Sequence, residues 1–131
     1  MIVDMPLKKT PIKNQIGGVF IPVRNLETAR EWYSKILGLN GGEICFGHLY
    51  TAPMKGTAGL MLDTMPKWRN SDGDIATYQA PLIQFISNDI DASYQFMKEN
   101  DVELVTGIED HFYFVIKDPD GNLLMICKET T

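Results

Sequence analysis

At 131 residues the chain has room for one domain of ordinary size, and 44% hydrophobic against 22% charged residues is the balance of a globular protein, not a disordered one. A net charge of −5 without a basic stripe argues against nucleic acid, whose phosphates would repel it. No apolar run reaches the ~18 residues that a membrane-spanning helix needs, and MIVDMPLKKTPIKNQ lacks the apolar centre of a signal peptide, so the expected location is the cytoplasm.

In chain order, residues 1–14 read as an arm or an edge strand. Val19, Ile21 and Val23 then alternate as one face of a strand. Asn25 is a helix N-cap, since its side-chain oxygen can accept from early helical N–H groups. Ala29, Trp32, Tyr33, Ile36 and Leu37 follow at three- and four-residue spacing, and Gly38 can take the left-handed conformation that ends a helix. GEICFG, HLYTAP and AGLMLD are short strands punctuated by glycine and proline. Residues 65–76, MPKWRNSDGDIA, are polar and turn-rich and read as a linker. LIQFIS is the next strand, Asp89 caps a second helix with Ile90, Tyr94 and Met97 on its buried side, and VELVTG, FYFVIK and LLMICK complete the set. In DPDGN, Pro119 presets φ and Gly121 supplies a corner where φ can be positive, so the stretch predicts a hairpin turn. Cys45 and Cys127 stand in apolar strand runs without a CxxC pattern and read as buried free thiols.

The plan occurs twice. GGVFIPVRNLETAREWY from Gly17 and PLIQFISNDIDASYQFM from Pro81 align at a shift of 64, placing Asn25 on Asp89, Leu26 on Ile90 and Trp32 on Phe96. The same shift carries Leu60-Met61-Leu62 onto Leu124-Met125-Ile126. The expected fold is α+β: two tandem βαβββ modules forming a curved mixed sheet in a single domain. Module one covers about 16–64, the linker about 65–76 and module two about 77–128. A helix covers one face of each module's sheet, so the other face is left to form a groove.

Strand alternation points Gly18, Phe20 and Pro22 to one groove wall, Leu82, Gln84 and Ile86 to the other, with Leu123, Met125 and Cys127 beside them. His48 and Tyr50 share a strand face, and histidine serves as acid, base or ligand near neutral pH. Trp68 could cap the groove from the linker. The candidate ligand contacts are therefore Phe20, His48, Tyr50, Trp68, Leu82, Gln84, Tyr113 and Met125, with His48 the one candidate for catalysis. His111 beside Asp110 reads as a loop ion pair. Glu27 and Asp91 suit the helix dipole, and there is no phosphate loop or nucleophile motif of the G-x-S-x-G kind.

The two βαβββ units, VRNLETAREWYSKILGL after the first strand and DPDGN before the last resemble the vicinal oxygen chelate superfamily, over residues 17–128. That group includes glyoxalase I, extradiol dioxygenases, fosfomycin-modifying transferases and bleomycin-resistance proteins. The resemblance implies four ligand slots, usually His or Gln, Glu, His and Glu, in the metal-dependent members. Counted from Val23 and from DPDGN, with the shift of 64, the slots fall on Gly18, Met61, Leu82 and Met125, which bring neither imidazole nor carboxylate.

The expectation is thus a glyoxalase/bleomycin-resistance-like protein without the family's metal ligands, with no cofactor and no metal, binding a small apolar or cationic molecule in a groove and pairing as a homodimer. The alternatives are a metal-dependent glyoxalase-like lyase or dioxygenase with a displaced site, and a metal-free lyase or isomerase using His48 as base.

Overall fold

The computed structural model describes residues 9–130. Residues 1–8 of the expected N-terminal arm lie outside the described residues, and 9–14 form no strand. Strand β1 (Gly18–Pro22) leads into helix α1 (Leu26–Leu37), followed by β2 (Glu43–Cys45), β3 (Leu49–Ala52) and β4 (Gly59–Asp63). The second half is β5 (Gln84–Ser87), α2 (Ile90–Glu99), β6 (Glu103–Leu104), β7 (Tyr113–Lys117) and β8 (Leu123–Lys128). The eight strands divide into two four-stranded mixed sheets ordered β1-β4-β3-β2 and β5-β8-β7-β6.

Both helices start as the sequence predicts. Asn25 accepts from the Thr28 amide and Asp89 from the Ala92 amide, each supplying a partner for an otherwise orphan N–H. Gly38 ends α1 with φ 64°, and its own N–H donates to the Ser34 carbonyl. Ala29 and Tyr33 of α1, and Ile90 and Met97 of α2, turn inward onto one shared core with Ile21, Tyr50, Leu60, Leu62, Phe114, Ile116, Leu124 and Ile126. The linker is held locally: Ile75 is buried, and the Arg69 guanidinium donates to the carbonyls of Thr64, Met65 and Gly73.

The repeat holds at the level of single residue pairs. Phe20 opposes Met61 in the first sheet and Gln84 opposes Met125 in the second, 64 residues on in both strands. Thr51 opposes Met61 as Val115 opposes Met125. The innermost pair of the outer hairpin, Cys45 with Leu49, has its counterpart in Glu109 with Tyr113. Beyond that point the copies diverge. The amides of Val105 and Thr106 both donate to the Val115 carbonyl, a bulge that displaces β6, so that Leu104 rather than residue 106 pairs with Ile116.

Among the described residues no ladder joins the two sheets, and side chains occupy the outer edge of β1. The Tyr78 hydroxyl donates to the Phe20 carbonyl and Asn122 Nδ2 to the Pro22 carbonyl at 2.8 Å. DPDGN makes the expected turn, with the Gly121 amide donating to the Asp118 carbonyl at 3.0 Å, and it also fastens the halves together. Asp118 is buried and its carboxylate accepts from the amides of Asp120 and Asn122, from Asn122 Nδ2 at 2.9 Å and from the Tyr33 hydroxyl of α1 at 2.5 Å. Cys45 and Cys127 are both free thiols; Cys127 is buried and Cys45 only half-buried. Among the described residues no helix is long and apolar enough to cross a membrane.

Candidate functional site

Each sheet has a face that no helix covers. On β4, Leu60 and Leu62 turn into the core, so Gly59, Met61 and Asp63 belong to the open face. Phe20 lies beside Met61 on that face. On the second sheet the open face carries Gln84, Ile86, Val115, Tyr113 and Met125, with Leu82 just before β5. Leu82 and Ile86 are 70% and 73% exposed, a large apolar exposure.

All four slots singled out by the resemblance stand on these faces, and their surroundings do not suit a hard divalent ion. A Cβ built at Gly18 would meet the Met61 terminal methyl at 2.3 Å and its sulfur at 3.3 Å. The thioether thus lies in the space that a ligand side chain at position 18 would need. In the second sheet Gln84 Nε2 donates to the Met125 sulfur at 3.5 Å. Thioethers are soft donors, poorly matched to a family-type nitrogen and oxygen site. Among the described residues no group of three or more His, Cys, Asp or Glu side chains could hold a metal ion.

The expected ligand contacts are not gathered into one cavity. Tyr50 is a correction: it is fully buried on the helix side, with its hydroxyl donating to the Gly41 carbonyl at 2.7 Å and the Arg30 guanidinium over its ring. His48 precedes β3 rather than extending it, so the alternation that paired the two residues stops at the turn. Trp68 is 78% exposed on its linker turn. Phe20, Leu82, Tyr113 and Met125 stand on the open faces. Gln84 alone of the eight lines a cleft of about 860 Å³, which runs along the outer edge of β5 between Leu37–Leu39, Pro53–Lys55 and the start of α2.

Asp63 is the residue that sequence reasoning missed. Its carboxylate Oδ1 lies 2.8 Å from His48 Nδ1 and accepts from the Met65 amide at 2.9 Å. A carboxylate that is ionised can only accept, so His48 Nδ1 carries a proton in this contact, and in the neutral ring Nε2 is then the acceptor. The Asp63 side chain is 10% exposed and the His48 side chain 34%. The signal was an aspartate closing an apolar run, LMLD, two residues beyond a groove position. His111 makes no ion pair among the described residues.

Charge concentrates where the halves meet. Arg24 forks onto Asp74, Nε to Oδ1 at 2.9 Å and Nη2 to Oδ2 at 3.1 Å, and Nη1 also donates to the Asp120 carbonyl at 2.9 Å. The hydrogen bond from Arg24 holds Asp74 below the usual carboxylate range, whereas burial pushes Asp120 above it. Burial, then the charge of Asp118, pushes the Tyr33 phenol far up.

The family model described as Glyoxalase/Bleomycin resistance protein/Dioxygenase superfamily matches residues 15–126. Among solved structures, a member of that superfamily from Sphaerobacter thermophilus is similar at TM-score 0.68 and 22% identity, covering 89% of this chain and 98% of that one. An antibiotic binding protein from Streptomyces is similar at TM-score 0.69 and 18% identity, covering 93% of this chain and 100% of that one. A lactoylglutathione lyase from Agrobacterium tumefaciens also reaches TM-score 0.69 at 18% identity, covering 91% of this chain and 96% of that one. At such identities the likeness is one of fold. No curated protein matches the chain.

Proposed function

Because the chain belongs to the Glyoxalase/Bleomycin resistance protein/Dioxygenase superfamily, we propose that it binds a small apolar or cationic molecule on the open sheet faces without a metal ion. The observation that carries this reading is the Met61 thioether lying over Gly18, where a metal-dependent relative would place a ligand side chain. The net charge of −5 favours neutral or cationic ligands over anions. Structures of this fold include a protein that binds an antibiotic, so small-molecule binding is within the fold's reach.

A homodimer belongs to the same proposal. Among the described residues the outer edge of β5 has no equivalent of the Tyr78 and Asn122 caps on β1, since the residues 64 earlier are Asn14 and Ala58. An uncapped edge flanked by exposed Leu82 and Ile86 invites strand pairing with a second copy.

Isothermal calorimetry and thermal-shift screening of chelator-treated protein test the binding reading. Saturable binding that added Zn²⁺, Ni²⁺, Mn²⁺ or Fe²⁺ leaves unchanged supports it. Stoichiometric metal in the purified protein, with binding lost on chelation, overturns it in favour of a displaced metal site. A second reading, a metal-free lyase or isomerase with His48 as base, is favoured by the Asp63 contact, which leaves Nε2 as the ring's acceptor.

A further inference from the structure

We infer that Phe46, His48 and Asp63 form a subsite for a planar, weakly acidic ring, a phenol or an enol, which stacks on Phe46 and donates its O–H to His48 Nε2. The inference rests on the metal-free reading above and names the ligand chemistry at one end of the open face.

The two halves supply the control. Residues 46 and 47 have φ of 55° and 75°, and residues 110 and 111 have φ of 53° and 54°, so each half turns its outer hairpin through the same left-handed pair. The next backbone bonds also correspond, Thr64 N–H to the His48 carbonyl at 3.0 Å and Lys128 N–H to the Phe112 carbonyl at 2.7 Å. Yet the positions equivalent to His48 and Asp63 are Phe112 and Cys127. The hairpin therefore folds without the polar pair, and its presence in module one is not a requirement of the backbone.

Phe46 points the same way. That corner of the turn favours Asn, Asp or Gly, and module two places Asp110 there. Module one holds a phenylalanine in the left-handed region with 88% of its surface exposed, so neither backbone preference nor burial accounts for it. Its ring centroid is 6.3 Å from that of His48, with 29° between the planes. The two rings lie near-parallel, and the second of them is the imidazole that carries the acceptor. Met65, whose amide holds Asp63 from the other side, is a second non-glycine residue in the left-handed region, at φ 54°.

Asp63 is a positioning residue: it fixes the ring and the tautomer and acts through His48. When the ligand O–H proton passes to Nε2, His48 becomes an imidazolium whose Nδ1–H still faces the Asp63 carboxylate. The ligand becomes the phenolate or enolate, and no other co-reactant is needed.

The test titrates 4-nitrophenol into chelator-treated protein, following its ionisation by absorbance and the two histidines by long-range ¹H–¹⁵N spectra. Saturable binding that moves the His48 signals and leaves His111 in place is expected. His48→Gln and Phe46→Ala should each raise the Kd about tenfold, while Phe112→Ala, at the module-two position that corresponds to His48, stays within about twofold. Asp63→Asn should change the His48 tautomer pattern and weaken binding, with partial recovery in Asp63→Glu. Should a variant fail to fold, the wild-type spectra decide. The subsite is overturned by no saturation up to about 5 mM, or by binding that leaves His48 unmoved. Metal-free binding of other apolar ligands would then still uphold the broader reading, whereas metal-dependent binding would end both.

Discussion

The two halves share their strand order and most of their pairing, yet they spend their polar residues differently. Module two carries Asp118 and Asn122 in the β7–β8 turn, where they bind Tyr33 and Pro22 of module one. The equivalent positions in module one are Met54 and Ala58, in a loop beside the open cleft. Module one in turn carries His48 and Asp63 where module two has Phe112 and Cys127. A duplicated backbone thus has one copy specialised for holding the domain together and the other free to vary at an exposed corner. The difference teaches that a repeat constrains alternation and turn geometry, which set the fold, but not the polar residues, which set stability in one place and chemistry in another.

The strongest way to break this comparison is in the shared core. Leu62 and Ile126 are repeat mates, both buried. Truncating either to Ala should cost about 3 kcal/mol in urea unfolding, in a single transition followed alike by fluorescence and circular dichroism. Two separated transitions would mean that the halves fold independently.

Next comes the fastening. Asp118→Ala removes the acceptor of two backbone amides, of the Asn122 side chain and of the Tyr33 hydroxyl, and should lower stability by about 2 kcal/mol by the same measurement. A variant as stable as the parent would show that the turn does not join the halves.

Tyr33 adds a pH dependence with a definite sign. Its folded pKa lies above the unfolded value, so the stability it contributes is complete below about pH 10 and is lost as pH rises beyond that. Unfolding midpoints measured from pH 8 to 11 should fall at the alkaline end, and Tyr33→Phe should flatten that limb while lowering stability at neutral pH.

The smallest effect has the opposite direction. Phe46→Gly and His111→Gly both relieve a left-handed residue and should each raise stability by about 0.5–1 kcal/mol in thermal unfolding. Only the change at Phe46 should also impair binding of a planar ring. Equal losses from both would remove the distinction between the two corners.

Much of this was legible before any coordinates. Caps at Asn25 and Asp89, the glycine stop at Gly38 and the turn at DPDGN are local, and local backbone chemistry decides them. The spacing of 64 placed Met61 and Met125 on corresponding strands because strand alternation converts a sequence shift directly into a face. Tyr50 faces the core and His48 the open face because the left-handed pair at Phe46 and Gly47 resets which way the side chains point, and strand alternation does not extend across that turn. Asp63 was invisible because its meaning depends on an imidazole fifteen residues earlier, in the turn before a neighbouring strand.

What the sequence determined by itself is the pair of βαβββ units, their caps and turns, and the lack of hard metal donors at four corresponding positions, since each follows from residue type and short-range spacing. Tertiary structure alone decided that Met61 lies over Gly18, that Asp118 and Asn122 reach into the other half, and that His48 meets Asp63. Those contacts join residues distant in the chain, and only the packing of whole elements brings such side chains within a few ångströms of one another.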